Sequence, residues 1–436
     1  MKRPLVNNRV TVSGMTMASF ATTMMLAMTL VVLEFPSNNM PMLVDAMSTT
    51  NKKPSLQSMA SPLTSTRSMS MPSVQMQKMI TPPPRKTLTP PFPNGLCGGT
   101  VLDIAPEETF GVDVNLANIN VLGDMVLLPR TIQIWLPPGY DDEDEVGHSV
   151  LYVHDGQNCM EDNDSWTGAS WRLVGALTRL ADHELICSQK KKTSPADLGV
   201  EENHPAALSP EEKLPIVVML PSAEGDWLPG VRRRHLEYGD MNLPFAQAHA
   251  DFVANTVKPL VDNRFRTDPS PEHTFCMGSS LGGQASLHLL LRHPDKFGGA
   301  ACLSPAFGPA ILDCVDSPKG RDILKGNEKG KKKLYFDIGG DMDDSKTSDF
   351  VRVSPIDVLD HLTPVHGWNP GYFWLDTQLQ GQVAAMKKAL DKARIEYEYR
   401  QYPGGRHNER AWALRIDKPL LHLFSNDSNK KQQQKP

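Results

Sequence analysis

An α/β fold, with a mostly parallel central sheet and helices on both faces, follows from three features of this 436-residue chain. Short continuous apolar runs, Val150-Leu151-Tyr152-Val153 and Ile216-Val217-Val218-Met219-Leu220 among them, have the pattern of strands buried on both faces. Stretches with apolar residues at helical spacing lie between such runs, as right-handed crossover connections require. The third feature is Phe275-Cys276-Met277, which breaks into Gly278-Ser279-Ser280-Leu281-Gly282-Gly283 and then resumes at helical spacing. It reads as strand, sharp turn and helix.

Taken in order, the chain begins with Lys2, Arg3 and Arg9 ahead of an uncharged stretch from Val10 to Leu33, closed by Pro36. Residues 1–46 therefore read as a secretory signal peptide or, left uncleaved, as a signal anchor in a membrane. From Met47 to Thr100 there is no acidic residue, and Ser, Thr, Met and Pro dominate. Such a composition cannot build a core, so residues 47–105 read as a disordered linker or a transit-like segment. The destination these two segments imply is the secretory pathway or secretion, with a plastid-type organelle or membrane anchorage as the alternatives.

The folded domain is expected over residues 106–425. Arg130 to Leu136 alternates as a half-buried strand and is turned by Pro137-Pro138-Gly139-Tyr140. Trp171 to Glu184 has helical spacing, and the polar stretch Ser188 to Lys213 reads as a surface insertion. Further on come a helix from Phe245 to Val261, one from Gly283 to His293, and strands Ala300 to Leu303 and Leu334 to Ile338. A helix from Gln382 to Arg394, a strand from Glu396 to Tyr402 and a last helix from Glu409 to Phe424 complete it. Residues 426–436 read as a disordered tail.

Composition excludes some functions. A formal net charge of −5 leaves no basic excess to grip nucleic-acid phosphates. The six cysteines form no C-x-x-C pair, so neither a zinc site nor a compact disulfide framework is written here. Cys276 and Cys302 fall in strand-like runs and read as small core residues.

The chemistry lies around Ser280. Gly278 and Gly282 flank it as G-x-S-x-G, a pattern that needs small neighbours because the turn is tight. The following helix aims its N-terminal amides at the site, and the Leu281 N–H is the natural oxyanion donor. A serine hydroxyl needs a base and the base needs a carboxylate. His407 follows a strand and the flexible Pro403-Gly404-Gly405, at the same edge of the sheet. The acid is expected after the strand ending at Ile338, where Asp341 comes soonest and Asp343 and Asp344 are alternatives. Those aspartates lack the later glycine and distal glutamate of a calcium loop. A second oxyanion donor is expected at Gly156 or Gln157, in the loop after Val153. Arg232, Arg233 and Arg234 form either a positive rim for an acidic substrate or an exposed loop with an Arg234 to Glu237 ion pair.

From about Phe110 to Phe424 the chain resembles the esterase family of α/β-hydrolases that includes enterochelin esterases, feruloyl and acetyl-xylan esterases and S-formylglutathione hydrolase. The resemblance rests on Leu136-Pro137-Pro138-Gly139-Tyr140, Leu151 to Asn158, Arg234-His235-Leu236-Glu237-Tyr238, Gly278 to Gly283, Leu303-Ser304-Pro305-Ala306-Phe307, and Gly404 to Glu409 with Trp412. It implies an α/β-hydrolase fold and a serine ester hydrolase that forms an acyl-enzyme. The triad it implies is Ser280, an acid near Asp341, and His407, with Leu281 and Gln157 in the oxyanion hole. Asp155, Arg234 and Trp412 are the implied substrate contacts, and the substrate is a small-molecule or carbohydrate ester. No cofactor, metal or nucleic acid is implied. An acyltransferase on the same scaffold, and a binding protein that has lost turnover, are the alternatives.

Overall fold

The computed structural model describes residues 88–110, 127–143, 146–165, 168–183, 214–228, 231–326, 330–340 and 371–424. The expected signal or anchor segment 1–46, the insertion 188–213, the tail 426–436 and Asp341, Asp343 and Asp344 lie outside the described residues. In chain order the elements are β1 (Thr100–Ile104), α1 (Pro106–Phe110), β2 (Ile132–Leu136), β3 (Val150–His154), α2 (Leu173–Asp182) and β4 (Ile216–Leu220). A small hairpin, β5 (Asp226–Leu228) and β6 (Val231–Arg232), leads into α3 (Arg233–Glu237), α4 (Pro244–Phe252) and α5 (Lys258–Arg264). Then follow β7 (Thr274–Ser279), α6 (Leu281–Arg292), β8 (Gly299–Leu303), α7 (Pro309–Asp316), α8 (Pro318–Lys325), β9 (Lys333–Ile338), α9 (Gly371–Ala393), β10 (Glu398–Gln401), α10 (Glu409–Ala413) and α11 (Asp417–Phe424).

Eight strands form one sheet in the order β1-β2-β4-β3-β7-β8-β9-β10. The pairs β1–β2 and β2–β4 are antiparallel and all later neighbours are parallel. Side chains alternate across a strand, so each apolar run feeds two cores at once. Val150 and Tyr152 of β3 join Cys276 of β7 and Cys302 of β8 on one face, under α6, α7 and α9. Leu151, Val153, Phe275, Met277 and Leu303 join the other face, under α2 and α11. The parallel half therefore needs no polar face. Its carboxyl edge gathers the ends of β3, β7, β8, β9 and β10.

Several elements differ from expectation for physical reasons. The helix expected from Phe245 is one continuous helical stretch from Pro244 to Arg264, interrupted by a π-helical turn at Val253–Val257. Pro259 sits just beyond that turn and has no N–H to give, which frees the register to widen there. The last helix is two, parted around Arg415, and Arg415 is buried. Residues 88–105, expected to be unstructured, are ordered: β1 adds the edge strand, and Phe92 is 1% exposed among Trp135, Trp171 and Leu173. The Phe92 carbonyl accepts from Arg172 Nη1 at 3.1 Å, and Trp135 Nε1 donates to the Leu96 carbonyl at 3.0 Å. We therefore expect Phe92→Ala to destabilise the domain by about 3–5 kcal/mol, the usual loss for emptying a buried aromatic site. A urea midpoint equal to wild type would show that this segment is dispensable.

Candidate active site

Ser280 stands between β7 and α6 with φ 55° and ψ −126°, a conformation that a side-chain-bearing residue adopts only under constraint. Its N–H donates to the Leu303 carbonyl at 2.9 Å and its carbonyl accepts from the Ala306 N–H at 3.1 Å, so the end of β8 clamps the turn. A Cβ at Gly278 would collide with the Gly282 backbone, and one at Gly282 would lie 2.8 Å from Asp155 Oδ2. The glycine requirement read from the motif is thus steric on both sides. Leu281 opens α6, where an N–H has no intrahelical acceptor and points outward.

The loop after β3 comes up beside this turn. Asp155 takes a left-handed conformation (φ 57°) and starts a 3-10 turn at Gly156–Asn158. Gly156 packs so closely on β4 that a Cβ would sit 2.5 Å from Met219 Cα. The side chain of Gln157 donates to Ser222 Oγ at 3.0 Å and accepts from the Ser222 N–H at 3.3 Å. Those bonds occupy its amide group and fix the backbone of the turn.

His407 follows β10 and is 2% exposed. Its Nδ1 lies 2.7 Å from Oδ1 of Asp376, itself fully buried on α9. A carboxylate only accepts, so Nδ1 carries the proton and Nε2 is the basic nitrogen. Burial pushes the Asp376 carboxyl up, but the His407 hydrogen bond and the charges of His407 and Arg415 outweigh it and hold it below the usual carboxylate range. The carboxylate that meets His407 is Asp376; Asp341, where the acid is expected from the sequence, lies outside the described residues. Asp337, set inside β9, accepts instead from the Ser304 N–H at 3.0 Å and from Tyr335 at 3.1 Å.

Asp155, Arg234 and Trp412, the expected substrate contacts, each engage other groups of the fold. Arg234 donates twice to Asp155, at 2.7 Å each, so the two charges satisfy one another and Asp155 is buried. The alternative Arg234 to Glu237 pair is not made either, since Glu237 accepts from Arg130 at 2.6 and 2.7 Å. Trp412 is 3% exposed and packs edge-on to His407, with ring centroids 5.1 Å apart. The indole is thus a packing partner of the imidazole. Among the described residues no group of three or more His, Cys, Asp or Glu is placed to hold a metal ion. No helix among them is long and apolar enough to cross a membrane.

Behind the site lies a cluster of buried imidazoles. His154 ends β3, His249 is on α4, and their ring centroids are 5.3 Å apart, with Tyr238 packed against both. Burial lowers His154 to about 4 and His288 of α6 to about 4, and drives His249 well below the ordinary value. Unfolding lets these groups take up protons that the fold denies them. Stability is then whole above a histidine's unfolded pKa of about 6.5 and falls as pH drops from there. We expect the urea midpoint to decline between about pH 7 and pH 5 and His249→Phe to flatten that decline. A pH-independent midpoint over that range would show that the cluster takes its protons without strain.

The strand order and the strand–turn–helix at Ser280 define an α/β-hydrolase fold. Residues 201–423, just over half of the chain, match the family described as "Putative esterase", and the chain belongs to that family. It is 22% identical over 178 residues, 41% of its length, to the uncharacterized protein YbbA of Bacillus subtilis (strain 168), and it spans 57% of that protein. Similar solved structures include a ferulic acid esterase, 14% identical with a TM-score of 0.44, covering 75% of this chain and 99% of that one. Another is the enterobactin esterase of Shigella flexneri, 14% identical with a TM-score of 0.40, covering 78% of this chain and 63% of that one. The BES protein of Bacillus cereus is 12% identical with a TM-score of 0.42, covering 81% of this chain and 99% of that one.

Proposed function

We propose that this protein is a serine carboxylic ester hydrolase working through an acyl-enzyme on Ser280. The observation that carries the reading is the buried His407–Asp376 pair, 2.7 Å apart, at the sheet edge where β7 delivers Ser280. In this reading His407 Nε2 takes the Ser280 proton as the hydroxyl attacks the ester carbonyl, and later gives it to the leaving alcohol. Asp376 holds the imidazole in the required tautomer and stabilises its cation. The oxyanion meets the N–H groups of Leu281 and Gln157, both set in place before substrate arrives. Water then releases the acid by the same proton route in reverse.

The substrate class proposed is a small-molecule or carbohydrate ester. A serine-reactive fluorophosphonate tests the reading directly: it should label Ser280 and no other residue, and labelling should abolish hydrolysis of p-nitrophenyl acetate. Labelling at another position, or activity that survives full labelling of Ser280, would refute it. Feruloyl, acetyl, thioester and catecholate esters would then sort the acyl preference, and added alcohols would reveal transfer in place of hydrolysis.

A further inference from the structure

The carboxylate that meets His407 is itself held by groups outside the triad. Asp376 Oδ2 accepts from Ser304 Oγ at 2.9 Å and from the Gly339 N–H at 3.0 Å, which leaves Oδ1 to His407. Ser304, at the end of β8, is a node. Its hydroxyl accepts from Arg415 Nη2 at 2.6 Å and Trp412 Nε1 at 3.3 Å, and its N–H donates to Asp337 Oδ1 at 3.0 Å. Its φ of 40° is strained for a residue with a Cβ, and that conformation is what lets N–H and Oγ reach two different aspartates.

Arg415 is the buried counter-charge. Its Nη2 lies 3.2 Å from Asp337 Oδ1 and 3.9 Å from Asp376 Oδ2, and its guanidinium carbon stands 4.7 Å from the centre of the Tyr402 ring. Two carboxylates thus share one guanidinium, and they respond in opposite directions. Burial raises Asp337 despite Arg415, whereas in Asp376 the bonds and charges of His407 and Arg415 prevail. Among the charged groups around the His407–Asp376 pair are Arg415, between α10 and α11, and Asp337 of β9, and Asp337 in turn interacts with Tyr335 of β9 and Tyr402 after β10.

We propose that Ser304 and Arg415 are positioning residues for the reaction: the hydroxyl turns Asp376 Oδ1 towards His407, and the guanidinium, shared with Asp337, sets how strongly Asp376 stabilises the imidazolium. This rests on the triad reading above. Ser304→Gly suits a φ of 40° and relieves the strain, yet removes the hydroxyl. The relieved strain is set against two donors, on Arg415 and Trp412, that lose their acceptor. In the full chain, with p-nitrophenyl acetate as probe, the unfolding midpoint should therefore fall only modestly while kcat falls about ten- to a hundredfold at nearly constant KM.

Charge variants give a readout that a purely structural role would not move. Arg415→Gln leaves both carboxylates without their shared cation, so the acid limb of the kcat/KM profile should shift to higher pH. Adding Asp337→Asn removes one of those carboxylates and should bring the limb back towards wild type. The proposal is overturned if Ser304→Gly keeps wild-type kcat, or if the acid limb stays put in Arg415→Gln. Should Arg415→Gln not fold, the double variant and Ser304→Gly decide: loss of the hydroxyl without loss of kcat still refutes it. Ser280→Ala run alongside separates the two readings. If it too hydrolyses the ester at the wild-type rate, the triad reading fails and the positioning roles go with it; if it is dead while Ser304→Gly is unchanged, only the positioning roles fail.

Discussion

Ser280→Ala is expected to lose essentially all ester hydrolysis, on the order of 10⁶ in kcat, because a triad acts as a unit and His407 has nothing to deprotonate once the hydroxyl is gone. The fold should not notice. Alanine keeps the Cβ and so inherits the same backbone strain at φ 55°, and the serine side chain makes no capping hydrogen bond to α6 that could be lost. Substitutions that remove no packing and no bond usually stay within about 0.5 kcal/mol. The informative measurement is therefore paired: p-nitrophenyl acetate turnover and urea midpoint on the same preparation. Wild-type turnover in that variant would place the nucleophile elsewhere; a large drop in midpoint would mean that Ser280 holds the turn as well as the chemistry.

The parallel half of the sheet was legible because a strand buried on both faces leaves an unbroken apolar run, as in β3, β4 and β7. The edge strand β1 left no such mark. Of its five residues only Ile104 is buried, so the pattern is too sparse to separate from the linker before it. Ser280, Leu281 and His407 could be named because motif and chain order place them at strand ends, which the topology brings to one edge. Asp376 could not be reached that way. It lies on α9, away from the loop where the acid was sought, although Leu375, Leu379, Val383, Met386 and Leu390 carry a helical period back to that point and would have extended the helix over it. Ion-pair choices were less legible still. Arg234 and Glu237 are spaced to pair on a helix, yet Arg130 and Asp155, remote in sequence, take them instead.

Asp376→Asn is expected to lower kcat by roughly 10³ to 10⁴ with little change in KM, and Asp341→Asn to cost far less. The argument is geometric. An asparagine fits the same space, but its two ends are no longer equivalent. Ser304 Oγ–H and the Gly339 N–H both donate to the Oδ2 position, so the amide oxygen must settle there. The NH₂ group is then turned on His407 Nδ1, which has to become an acceptor. That forces the imidazole proton onto Nε2, the nitrogen that should receive the Ser280 proton, and the base is lost even though every heavy atom stays in place. Binding does not depend on the tautomer, so KM should hardly move. Asp376→Ala should do similar damage to kcat but also destabilise the fold, since it strands three buried donors, on Ser304, Gly339 and His407, and leaves Asp337 as the one carboxylate beside Arg415 among the described residues. A near-wild-type Asp376→Asn beside a crippled Asp341→Asn would return the acid to the loop after β9 and make the His407–Asp376 contact a structural bond.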